Sequence, residues 1–147
     1  MNAWEQLREK QQAEVNAFPI HFAFGIDQIN RKIAELNLDP EHYQEQICGI
    51  GAGGFVLKQD YPALLEMFKR HKKERNDAIA ADPTGDGFIY DMFLTELVNH
   101  EYGYTVTYGD TLQALGFSMA DIEADHRLQN GLEKAAAAIR KREGFEW

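Results

Sequence analysis

The stretch "CGIGAGGFVLK", Cys48 to Lys58, constrains the fold more than any other. Gly49, Gly51 and Gly54 stand in the spacing G-x-G-x-x-G. In a dinucleotide-binding unit these glycines turn the chain from a buried strand into a helix whose N-terminus faces a pyrophosphate. That use requires a helix directly after the third glycine and a chain that alternates strands with helices. Here Gly54 leads into "FVLK", which has strand character, and no helix can begin before about Asp60. The rest of the chain offers no alternation that would build a parallel sheet. "ICGI" and "GFVLK" on either side of a glycine-rich reversal read instead as a β-hairpin. Dinucleotide binding is rejected on those grounds, and no cofactor is expected. A two-stranded hairpin is marginal in water, so it must lie against helices or gain a third strand, for which "YTVTY" and "IHFAF" are the candidates. Cys48 reads as a small buried hydrophobe.

Around the hairpin the apolar residues recur at helical spacing. Trp4, Leu7, Gln11, Val15 and Phe18 form one stripe that ends near Pro19, and Ile26, Ile29, Ile33 and Leu36 form a second. Asp39 before Pro40 has the form of a helix start, although "QICGIG" must break that helix quickly. A helix from about Asp60 carries Leu64, Leu65, Phe68 and Ile79 to about Ala81, where "DPTGDG" stops it. Another runs from Phe88 to His100. Asp110 is expected to cap a short helix that ends at Gly116, Ser118 with Asp121 resembles a capping box, and Asp125 is placed to cap the last helix. The expected fold class is α+β, mainly α: a compact helical domain with a small hairpin or short antiparallel sheet around residues 46–58. With 147 residues and 44% apolar content, residues 1–147 are expected to form a single globular domain.

Charge and cysteine usage narrow the function classes. A formal net charge of -9 opposes general binding to phosphate backbones, so no direct contact with nucleic acid is expected. A folded acidic surface can also imitate a polyanion and occupy a basic groove on another protein. A single cysteine makes no internal disulfide, the N-terminus lacks the apolar core of a signal peptide, and no apolar run approaches membrane-spanning length. A cytoplasmic protein without membrane contact is expected.

Three groups of residues are candidates for function. Glu96 and His100, one turn apart within the apolar stripe that includes Ile89 and Phe93, are the candidate catalytic pair, since each would tune the other's proton affinity. Their plainer role is a satisfied polar pair that fixes helix packing. No third ligand lies nearby, so no metal is expected. Lys69, Arg70, Lys72, Lys73 and Arg75 concentrate positive charge in an acidic chain and suit a phosphate or acidic partner, or else a solvated helix face. Tyr102, Tyr104 and Tyr108, with the acidic run Asp121, Glu123 and Asp125, are candidate contact residues. "TLQALGFSMADIEAD" has the outline of a helix-turn-helix, but that acidic run would be repelled by phosphates.

Four stretches, "HFAFGIDQI", "IGAGGFVLK", "FIYDMFLTELVNHEY" and "ALGFSMADIEADHRL", resemble a family of small uncharacterised proteins of phages, prophages and mobile elements of Firmicutes and related gut bacteria. The resemblance implies no activity, cofactor or catalytic residue. It implies a small acidic protein that binds a host or phage protein without catalysis, the narrower expectation being an inhibitor of a host nuclease defence, anti-CRISPR-like or anti-restriction-like. The alternatives are a small enzyme or ligand-binding domain using Glu96 and His100, and an accessory protein of phage assembly. Oligomeric state stays open.

Overall fold

The computed structural model describes residues 1–144 and shows a mainly helical α+β fold, with eight helices and a three-stranded antiparallel sheet among them. The helices are α1 (Ala3–Ala17), α2 (Ile26–Glu35), α3 (Tyr61–Ala81), α4 (Phe88–Asn99), α5 (Tyr102–Thr105), α6 (Gly109–Leu115), α7 (Met119–Ala124) and α8 (His126–Arg142). The strands are β1 (His21–Phe22), β2 (Ile47–Gly51) and β3 (Gly54–Leu57). The described chain divides into two compact units, residues 10–73 and residues 1–9 with 74–144.

The unit of residues 10–73 is organised by the sheet, in the order β1-β3-β2. The turn between β2 and β3 has Ala52 and Gly53 at φ 52 and 77, the positive pair that a tight two-residue hairpin demands. The glycines therefore serve a reversal, and Gly54 opens a strand rather than a helix. Of the two candidates for a third strand, "IHFAF" supplies it: His21 lies opposite Phe55 and Phe22 opposite Gly54. Because strand side chains alternate, Val56 faces one way and packs with Leu64 and Met67 of α3, with Val15, Phe18 and Cys48 beside them. Asp39 starts no α-helix. Its carboxylate accepts from the Glu41 backbone N–H at 3.0 Å and contacts His42 Nδ1 at 3.0 Å, which closes a turn before a short 3-10 segment, Tyr43–Glu45. The stripe expected on α2 is also shorter than its spacing implies: Ile33 is buried, but Ile26 is 75% exposed.

The other unit is centred on α4, whose Ile89, Met92, Phe93 and Leu97 are fully buried. A helix so apolar needs cover on more than one side. Leu128, Leu132, Ala135, Ala136 and Ile139 of α8 provide part of it, with Trp4 of α1 and Leu112, Leu115 and Ile122 of α6 and α7. Gly131 permits the close approach, since a Cβ there would lie 2.6 Å from Ile89 Cγ2 and 2.8 Å from the Gly85 carbonyl. "YTVTY" forms no strand. Glu101 and Val106, both in the left-handed region at φ 59 and 56, bracket the single turn α5, and Tyr102 stacks on Tyr108 with ring centroids 5.4 Å apart. The capping box at Ser118 and Asp121 is present, and Asp125 caps α8. Asp110 caps nothing: α6 begins at Gly109 after Tyr108, without a side-chain cap.

Candidate functional site

Glu96 is 3% exposed, and its partners come from α1 as well as from α4. The indole Nε1–H of Trp4 donates to Glu96 Oε1 at 2.9 Å, and Arg8 Nη1 donates to the same oxygen at 2.5 Å. His100 turns elsewhere. Its Nδ1 lies 2.7 Å from the Glu96 backbone carbonyl and 3.7 Å from carboxylate Oε2. A carbonyl only accepts, so the Nδ1 proton points at the main chain and caps the end of α4. Glu96 Oε1 is thus taken by an indole and a guanidinium and His100 Nδ1 by the backbone, while Oε2 faces the imidazole at ion-pair distance. These bonds tie the first turns of α1 to α4. Trp4, whose ring also meets Phe88 edge-on at 5.8 Å, and Arg8 were invisible to a reading confined to local spacing.

A second buried carboxylate lies in "DPTGDG". Asp82 accepts four backbone N–H groups: Thr84 at 3.2 Å and Gly85 at 2.9 Å on Oδ1, Gly87 and Ile89 each at 3.0 Å on Oδ2. Burial pushes its proton affinity up, but these donors prevail and hold it below the usual 3.8. Arg127 completes the loop from α8, donating to the carbonyls of Ile79 at 3.0 Å and Asp82 at 2.7 Å at the end of α3. It also forms an ion pair with Asp125 at 2.9 Å, so that acid is occupied. Asp121 belongs to its capping box, and Glu123 is exposed.

The tyrosines part company. Tyr102 is 2% exposed and its hydroxyl accepts from Arg140 at 2.8 Å, so it presents nothing to a partner. Tyr108 is half-buried beside it, and Tyr104 is 87% exposed. In the basic run, Lys69, Lys72 and Lys73 are exposed and Arg75 is half-buried. Arg70 pairs with Glu14 of α1, whose second neighbour is the buried His71 at 3.4 Å. The Arg70 hydrogen bond holds the Glu14 carboxyl at about 2 against its usual 4.5, burial opposing and His71 assisting. Both carboxyls therefore favour the folded state above their unfolded values, and that contribution disappears as pH falls through the folded ones. Stability followed by circular dichroism should fall as pH drops from 4.5 towards 2, and Glu14→Gln should flatten part of that slope.

The sheet also exposes aromatic side chains that are not among the residues singled out from the sequence. Phe22 and Phe24 stack with centroids 6.3 Å apart, and both stand more than half exposed. Gly54 separates Phe22 from Ile50: a Cβ at this glycine would lie 3.0 Å from the Phe22 ring and 3.1 Å from Ile50 Cγ1. A Cβ at Gly53 would strike the Phe24 ring at 2.4 Å. The bare turn is thus covered by an aromatic cluster that faces solvent. The pattern of "IHFAF", aromatic yet tied to a two-residue strand, was the available signal.

Residues 3–138 match a family of unknown function, DUF7659. The chain belongs to that family. No curated protein and no solved structure matches it. Among the described residues no helix is long and apolar enough to cross a membrane.

Proposed function

We propose that this protein acts by binding another protein, without catalysis, and that the contact is made by the apolar cluster of Phe22, Phe24 and Ile50 at the sheet turn. The observation that carries the reading is the exposure of stacked aromatic rings on an otherwise strongly acidic chain. Single apolar side chains in solvent need no explanation, but contiguous ones mark contact surfaces, where phenylalanine is enriched. Ile26, two residues beyond Phe24 and 75% exposed, extends the apolar stretch in sequence. The reading has a narrower form: a phage or mobile-element protein of the host cytoplasm that blocks the basic groove of a defence nuclease. The net charge of -9 supports it.

The test is capture of partners by the tagged chain from bacterial lysate, in parallel with Phe22→Ser/Phe24→Ser. The double variant should keep its circular dichroism spectrum and lose at least about tenfold in retained partner, as for removal of anchor residues. Retention unchanged in a folded double variant would overturn the contact surface. Release of the partner by raised salt would favour the nuclease form, and release only by detergent would count against it.

A further inference from the structure

The face of the sheet turned towards α2 is not filled. Ile29 and Ile33 of α2, Leu38 beyond it, and Ile47 and Phe55 of the sheet line a cavity of about 290 Å³. The cavity opens to solvent past the exposed Gln44, Gly49 and Gly53, so its apolar walls are within reach of a ligand. Gly49 leaves part of those walls bare. That residue sits in β2 directly opposite Phe55, on the strand face that carries Ile47. A Cβ added there would meet nothing within 4 Å, and its backbone is not in the left-handed region, so a side chain would be accommodated. Glycine inside a strand weakens it, and such a position often marks where something else approaches the backbone closely.

The charge in the lining is that of Lys32. Its Nζ lies 3.2 Å from Glu35 Oε2, but the Glu35 side chain is 57% exposed, and such ion pairs exchange readily. An apolar chamber with one cation suits a small amphiphilic anion. We propose that this cavity binds such a molecule, a chain or ring seated against Ile29, Ile33, Ile47 and Phe55 over the bare backbone of Gly49, with its carboxylate at Lys32. Tyr43 and Gln44 complete the lining. The cavity adjoins the protein contact proposed above at the turn glycines Gly53 and Gly54, but Ile29, Ile33 and Lys32 take no part in that contact, so Phe22→Ser/Phe24→Ser should leave the shift at Gly49 in place.

Decanoate, kept below its micellar concentration, is the probe, and decanol is its uncharged counterpart. Amide spectra of the labelled protein report directly, because Gly49, Gly53 and Gly54 all line the cavity. Decanoate should shift those three resonances saturably. Gly49→Val should fill the chamber and weaken binding at least tenfold, and Ile29→Phe should do the same from the helix wall if the valine variant does not fold. Lys32→Met should weaken decanoate severalfold and leave decanol unchanged. Absence of saturable shifts at these glycines would overturn the site. So would equal affinity in a folded Gly49→Val, or a Gly49→Val that melts higher while the parent binds nothing, the mark of a packing gap.

Discussion

Asp82→Ala is expected to lower stability by about 4 kcal/mol, the cost of leaving several buried N–H groups without an acceptor. The melting temperature should fall by roughly 10 °C in a domain of this size. Both oxygens of Asp82 are fully used, two N–H groups on each, and the Gly85 and Ile89 bonds are buried. Water cannot replace the carboxylate there without opening the loop. Asp82→Asn should recover only part of the loss, because its amide nitrogen would face donors. Asp86, four residues on, is the control: its bonds to Lys134 and Asn130 are exposed, and Asp86→Ala should cost below about 1 kcal/mol. Thermal and urea unfolding of the three variants checks the ranking. An Asp82→Ala as stable as Asp86→Ala would show that the loop does not depend on its carboxylate.

Glu96→Ala should be the second large loss, about 3 kcal/mol, because it strands the buried Trp4 indole N–H and leaves a cavity beside α4. Glu96→Gln separates a structural role from a chemical one. The glutamine oxygen still accepts from Trp4 and Arg8, so most of the stability should return. His100→Ala removes only a bond to the end of α4 and should cost about 1 kcal/mol. A Glu96→Gln as unstable as Glu96→Ala would mean that the charge, and with it the Arg8 pair, holds α1 in place.

These two carboxylates show where the sequence was legible and where it was not. Helix boundaries followed from local chemistry: Pro19 after α1, the capping box of Ser118 with Asp121, and Asp125 at the head of α8 are short-range devices visible in a few letters. The glycine string implies a hairpin because "FVLK", with strand character, follows Gly54 where a dinucleotide turn needs a helix. Glu96 and His100 show in the sequence as polar residues on an apolar stripe, but their partners do not, because Trp4 and Arg8 lie about ninety positions away and no periodicity links them. In sequence, Asp82 shows only as part of the stop "DPTGDG", since the four N–H groups it accepts depend on the loop's fold. "YTVTY" alternates as a strand does, but the stacking of Tyr102 on Tyr108 and the Arg140 bond to the Tyr102 hydroxyl fix a helical turn instead. Tertiary contact overrode local pattern in each of these places. The exposure of Phe22 and Phe24 has no local signature, because an aromatic pair in a short strand usually faces a core.

Photo-crosslinking from a benzoylphenylalanine placed at Phe24 in one variant and at Glu123 in another locates the contact. Each would be exposed to lysate at near-physiological salt. A discrete adduct is expected from position 24, abolished when Phe22→Ser is added, with little or none from position 123. A strong adduct from position 123 with none from position 24 would contradict the proposed contact and move it to the acidic helix α7.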